Sequence, residues 1–129
     1  MPAARNRRPS IASQRRRRCG KDRMPCGCGH LAESLVGAFF SGIPGLEVSW
    51  LPSNSSEDEI DFVLTIGLKR IPVEVKYRRH LRDADSAAVR SFISQPKYNA
   101  PFGIVVTREL ASEKDNVFSV PMHALLGLR

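Results

Sequence analysis

"EIDFVLTIGLKRIPVEVK", residues 59–76, reads as two short apolar strands joined by a turn, with Asp61 in the first and Glu74 and Lys76 in the second. Gly67-Leu68 suits a two-residue type II′ turn, which wants glycine at its first central position. With that turn Ile66 faces Lys69 and, counting outward, Asp61 faces Glu74. Strand alternation then places Asp61, Val63 and Thr65 on one side and Phe62, Leu64 and Ile66 on the other. On the return strand Glu74 and Lys76 share a face, opposite Val73, Val75 and Tyr77. Asp61 and Glu74 therefore become same-face neighbours, with Lys76 two positions along. Pro72 works against a regular ladder, because it lacks a donor and usually marks an edge or a bulge.

Like charges facing each other in a sheet reduce its stability. Two adjacent carboxylates ionise together only when something positive sits between them. A divalent cation is one solution. Oxygen donors suit magnesium or manganese, and magnesium commonly takes one or two carboxylates and keeps several waters. Lys76 would then hold or activate a water for attack on phosphorus, while the ion offsets transition-state charge. The residues alone leave a plainer alternative open: Asp61 and Glu74 as solvent-facing residues on the polar side of an amphipathic hairpin.

Outward from the hairpin, "LAESLVGAFF" places Leu31, Leu35, Ala38 and Phe39 on one helical face, widened by Val36 and Phe40. Ser41-Gly42 and Pro44 stop that helix. "LEVSWL" (46–51) predicts a first strand with Trp50 in the core, and "PSNSSEDE" (52–59) a polar loop. After a charged connection at 78–85, Asp85 or Ser86 can cap a helix carrying Val89, Phe92 and Ile93, which Pro96 ends. "FGIVVT" (102–107) has the continuous apolar pattern of a strand covered on both faces. A loop over 108–116 leads to a strand at "VFSV" (117–120), and "PMHALLGL" (121–128) closes as a short helix with proline first. The fold class is α/β: a mixed sheet flanked by helices, in the order helix-strand-strand-strand-helix-strand.

The formal charge of +7 over 129 residues is unevenly spread. Residues 1–30 contain nine Lys/Arg against Asp22 alone, and the rest of the chain is close to neutral. Residues 1–29 read as a disordered basic tail and 30–129 as the folded domain. Such a tail attracts polyanions, nucleic acid first, which makes Arg15, Arg16, Arg17 and Arg18 candidate phosphate contacts; a solvated arm without a specific partner is the other reading. Arg78 and Arg79, directly after the second hairpin strand, could meet the same backbone or be a solvated strand end. No run is long enough to span a bilayer and no apolar core follows Arg7-Arg8, so the expectation is a cytoplasmic protein with no membrane partner. Cys19, Cys26, Cys28 and His30 could hold a zinc ion, but their spacing fits none of the common knuckles.

"EIDFVL" followed by "IPVEVKYRR" resembles the signature of the PD-(D/E)XK nuclease superfamily, an acid on one strand and an E-x-K triplet on the next. It is more similar still to one branch, the nuclease-like C-terminal domain of unknown function carried by many AAA-family ATPases. There an acid-bearing helix, "VDFV", "IPIEVK" and an "FGIVVT"-like strand recur in this order. The resemblance covers roughly residues 29–128. It implies a restriction-endonuclease-like core and a magnesium- or manganese-dependent phosphodiesterase acting on DNA. By that resemblance Asp61 and Glu74 match the metal-binding acids, Glu33 the acid of the first helix, and Lys76 the catalytic lysine. The phosphate-cradling loop of the ATPase half is missing, since Gly20-Lys21 is followed by Asp22 and has no glycine five residues earlier. The expected partners are DNA and an ATPase module, either separate or on a longer chain. A non-catalytic interaction domain that keeps only the fold is the alternative.

Overall fold

A computed structural model describes residues 28–127. The first helix, α1 (Cys28–Ser41), leads to strands β1 (Glu47–Leu51), β2 (Ile60–Ile66) and β3 (Lys69–Lys76). A 3-10 turn at Asp83–Ser86 runs into α2 (Ala87–Ile93), followed by β4 (Gly103–Thr107), β5 (Ser112–Lys114), β6 (Val117–Pro121) and α3 (Met122–Leu126). The six strands form one open mixed sheet in the order β1-β2-β3-β4-β6-β5. Pairing is antiparallel from β1 to β3, parallel across β3, β4 and β6, and antiparallel again at β5. The predicted α/β class and the order of its principal elements are found. None of the helices among these residues is long and apolar enough to cross a membrane.

The hairpin has the register its turn dictates. Ile66 pairs with Lys69, and pairing continues through Thr65–Arg70, Leu64–Ile71 and Val63–Pro72 to Phe62–Val73. Gly67 has φ +60° and Leu68 is not in the left-handed region, as a type II′ turn requires. Pro72 lies at neither an edge nor a bulge. It is fully buried in β3, an interior strand. The fold accommodates it because the parallel pairing with β4 starts one residue later, at Val73–Ile104, so the missing N–H falls just outside that ladder.

Each face of the sheet carries a core. On one side Ala32, Val36 and Phe40 of α1 and Met122 and Leu125 of α3 pack on Leu64, Ile71, Val73, Val75 and Val106. On the other, Val89 and Phe92 of α2 join Ile60, Val63, Tyr98, Val105 and Val117. The tight layer spacing depends on glycine where elements meet: a Cβ on Gly103 would lie 2.2 Å from the Val89 side chain. Val105 and Val106 are both fully buried, which fits β4 as a strand covered on both faces.

Four local expectations are corrected. The buried stripe of α1 is Ala32-Val36-Phe40, while Leu31, Leu35 and Ala38 face outward. Trp50 is 73% exposed and is not a core residue. Residues 112–114 form a strand, not loop, because Asp115 and Asn116 both take positive φ and turn the chain back onto β6. Neither Ser86 nor Asp85 caps α2 directly: Ser86 makes no side-chain cap, and the Asp85 carboxylate accepts from the Arg82 N–H.

Candidate functional site

Beyond the Phe62–Val73 pair the backbone ladder between β2 and β3 ends, and acidic side chains take over its bonds. The Asp61 carboxylate accepts from the Val75 N–H at 2.9 Å. The Glu74 carboxylate accepts from the Asp61 N–H at 3.4 Å. Its other oxygen accepts from the Lys76 ammonium at 2.5 Å. The two acids thus cross-brace the parting strands, and Lys76 together with backbone N–H groups offsets their repulsion. The offset is partial. Glu74 is 6% exposed, and burial, then the Asp61 charge, raises its carboxyl above the usual carboxylate range despite Lys76. A buried acid beside a second acid is an arrangement found both at functional sites and in structural ion-pair networks.

Glu33 reaches this region from the opposite element. It is half-buried on α1, its carboxylate 3.7 Å from His30 Nδ1. Glu33 and Asp61 share the wall of an open cavity of about 480 Å³, with Trp50, Glu59, Phe62 and Ser49 among its other lining residues. Glu74 does not line it. Among the described residues no group of three or more His, Cys, Asp or Glu side chains is placed to hold a metal ion. Glu33 therefore does not complete a three-carboxylate cage with Asp61 and Glu74. The two strand acids still suit magnesium chemically, as hard oxygen donors at adjacent positions, because that ion needs only one or two carboxylates and keeps its waters.

The basic candidates separate into two groups. The guanidinium of Arg78 donates to Asp85 at 3.1 Å, an aspartate that is itself 9% exposed, so Arg78 pins the 3-10 turn to the end of β3. Arg79 is largely exposed and approaches Glu109 at 4.0 Å. Arg15, Arg16, Arg17 and Arg18 lie outside the described residues, as do Cys19 and Cys26 of the zinc candidate. Of the other two, Cys28 is a free, half-buried thiol and His30 is exposed beside Glu33.

Sequence reasoning missed Trp50 and Glu59 as neighbours of Asp61. Their alternation in β1 and the loop carried no sign of that cavity, whose wall includes Ser49 and Trp50, where the register of β1 on β2 is irregular. The chain matches no curated protein. It does match the family described as "Domain of unknown function (DUF4143)" over residues 28–125, a domain often found at the C-terminus of AAA ATPases. With most of its length covered, the chain belongs to the DUF4143 family.

Proposed function

We propose that this domain is a metal-dependent phosphodiesterase acting on DNA, built on a restriction-endonuclease-like core and working beside an ATPase module. The observation that supports it most is the convergence of Asp61, Glu74 and Lys76 where β2 and β3 part. Magnesium or manganese held by Asp61 and Glu74 would supply Lewis-acid stabilisation of the negative charge that builds on phosphorus. The chain's own residues do the rest. Asp61 is fixed by the Val75 N–H, so one of its oxygens has a defined position. Lys76, 19% exposed at its side chain, holds the attacking water and orients it toward phosphorus. Water oxygen forms the new P–O bond, the bond to the leaving oxygen breaks, and a proton passes to that oxygen.

A second reading is favoured by one feature. Lys76 is already engaged with Glu74, so each side chain of the trio has a hydrogen-bond partner without a ligand, as it would in a non-catalytic interaction domain that keeps the nuclease fold. One assay separates the two. Single- and double-stranded DNA are incubated with magnesium and wild-type protein, Glu74→Ala or Lys76→Ala, each variant first verified as folded by circular dichroism. The expected result is cleavage by wild type and a loss of several orders of magnitude in both variants, since an essential group contributes several kcal/mol to the barrier. DNA affinity should change little, because one lost charge removes about one phosphate's share of the salt-dependent binding. Binding without cleavage by wild type on every substrate would establish the interaction-domain reading instead. Equal cleavage by all three proteins would remove these residues from the chemistry.

A further inference from the structure

We infer that a cavity at the C-terminal ends of β3, β4 and β6, on the face of the sheet opposite Lys76, is the subsite for the DNA nucleotide flanking the cleaved bond, with its base against Tyr77 and its phosphate on Arg108; the inference rests on the phosphodiesterase reading and extends its substrate site. The cavity holds about 320 Å³ and is lined, among the described residues, by Tyr77, Arg108, Glu109, Met122, His123 and Leu126. Three parallel strands deliver these side chains. Lys76, Thr107 and Pro121 form the last paired row of the sheet, and Tyr77, Arg108 and Met122 are the next residue on each strand. Alternation turns that next row to the face covered by α1 and α3, away from Lys76. The cavity therefore starts one residue past Lys76, with the end of β3 between them. Crevices beyond the carboxyl ends of parallel strands are where open α/β sheets hold ligands.

The lining has two chemistries, and a nucleotide is the ligand that uses both. Tyr77 and Leu126 are half-buried and Met122 is buried, so the inner wall offers an aromatic ring and apolar surface to a flat base. The polar members lie nearer water: Glu109 and His123 are exposed, and the Arg108 side chain is 30% exposed. A free phosphate would leave the apolar wall unused, and an apolar ligand would strip water from Arg108 and Glu109 at a cost. One Glu109 oxygen lies 3.3 Å from Arg108 Nε and 4.0 Å from Arg79 Nε, so two guanidinium groups share one carboxylate. A guanidinium carries five N–H donors, and the Glu109 contact engages Arg108 at Nε. The wall is also held in place before any ligand arrives. The buried Thr107 hydroxyl donates to the Leu110 carbonyl at 2.7 Å, closing the turn that carries Arg108 and Glu109. The Arg108 N–H donates to the Arg78 carbonyl at 3.4 Å, and Met122 and Leu125 anchor α3 in the core. Binding then spends little on ordering the site.

The chain has two tyrosines, and Tyr98 is buried against Phe92 on the other face of the sheet. Ring-labelled tyrosine therefore gives one reporter and one internal control. The full chain, with calcium replacing magnesium as the added cation, is titrated with a short oligo-dA, the same strand without its bases, and inorganic phosphate. NMR follows the tyrosine rings, and competition against a labelled strand gives affinities. Expected are a shift of the Tyr77 signals with oligo-dA, none with the abasic strand or phosphate, and none at Tyr98. Arg108→Gln should weaken oligo-dA binding and reduce the slope of log affinity against log salt by about 0.7, one phosphate's share on a single strand. Glu109→Gln should act oppositely and tighten binding, because it removes the carboxylate that competes for Arg108. Tyr77→Ala should lower affinity by about five- to a hundred-fold, the range of one base–aromatic stack, and Tyr77→Phe should keep most of it. The half-buried Tyr77 variants are first verified as folded; where Tyr77→Ala is not, the opposite shifts of Arg108→Gln and Glu109→Gln decide the question. Equal affinity for oligo-dA and the abasic strand, with the Tyr77 signals unmoved, would overturn the inference. So would an unchanged salt slope in Arg108→Gln or weaker binding in Glu109→Gln. These readouts contain no cleavage step. An inactive protein whose Tyr77 responds to oligo-dA defeats the enzyme reading and keeps the nucleotide site; an active one whose Tyr77 never responds does the reverse.

Discussion

Glu57 and Glu74 each hold a lysine ammonium, and their carboxyl groups respond in opposite directions. Glu57, at the end of the polar loop, binds Lys97 and accepts from the Tyr98 hydroxyl at 2.7 Å. Those two bonds, with that to Asn54, hold its carboxyl below the usual range. Glu74 also has a lysine within hydrogen-bond distance, yet burial and Asp61 push its carboxyl up. Partner number does not explain the difference. At Glu57 every neighbour favours the charged form, and the pair ties a loop to the turn at Pro96–Tyr98, where Tyr98 stacks on Phe92 with ring centroids 3.9 Å apart. At Glu74 a second acid occupies the position where a stabilising arrangement would put a donor. One region uses charge to hold the fold together, and the other keeps charge at the fold's expense.

The largest consequence should follow removal of the lysine at the strained pair. Lys76→Ala leaves two neighbouring acids with only backbone donors, one of them buried. Breaking such a pair is expected to destabilise the fold by about 3 kcal/mol, the low end for buried ion pairs because Lys76 is partly in water. The loss should be greater at pH 8 than at pH 5, since protonating Glu74 relieves it. Urea denaturation at the two pH values measures both. A loss no greater than that of Lys97→Ala would erase the contrast between the regions.

Glu74→Gln should move stability the other way. The sign follows from linkage: an acid whose folded pKa is raised binds more protons folded than unfolded, so stability falls as pH rises from its unfolded pKa near 4.5 through the raised value. Glutamine never ionises, keeps one side-chain oxygen for Lys76 while giving up the long bond from the Asp61 N–H, and removes that decline. The variant should therefore be more stable than wild type above this window, by less than Lys76→Ala loses. A decline with pH unchanged in Glu74→Gln would show that Glu74 is not its source.

The hairpin carrying this tension was readable because its register is set locally. Gly67-Leu68 fixes the turn, and a fixed turn places Phe62 opposite Val73 whatever the rest of the chain does. The face of α1 was not readable in the same way. Both Leu31-Leu35-Ala38 and Ala32-Val36-Phe40 are apolar stripes, and a helix apolar over most of its circumference does not reveal which side it docks. The choice is made by packing: Gly37 lets the Phe62 ring come within 3.0 Å of where a Cβ would stand, on the side where Ala32, Val36 and Phe40 are buried. For β5 the signal was present and went unused. Asp115-Asn116 is a two-residue loop of the kind that accepts φ of +54° and +59°, and it closes a hairpin whose three-residue arm has no strand propensity of its own. At the site, the adjacency of Asp61 and Glu74 came from that local register. The cavity wall did not, because Trp50 and Asp61 line it from different strands, next to a register irregularity that alternation does not encode.

The smallest effect should come from the relaxed pair. Glu57→Gln and Lys97→Met remove an ion pair in which the lysine is mostly exposed, and surface pairs of this kind are weak and screened by salt. The pH profile carries the signature. The Glu57 carboxyl is lowered by Lys97 and Tyr98, so its contribution is present above an unfolded pKa near 4.5 and is lost as pH falls through the folded value. The Lys97 ammonium is raised by Glu57 and Tyr98, so its contribution is present below about 10.5 and is lost as pH rises through the folded value. Between those limits the pair should give a flat, slightly favourable term, in the interval where Glu74 gives a falling one. Thermal melts of wild type and Glu57→Gln across pH 4 to 8 test this. They should differ by a small constant at neutral pH and converge at the acid end, with the gap shrinking as salt is added. A gap that widens toward acid would reverse the sign given to Glu57, and the two glutamates would then no longer be opposites.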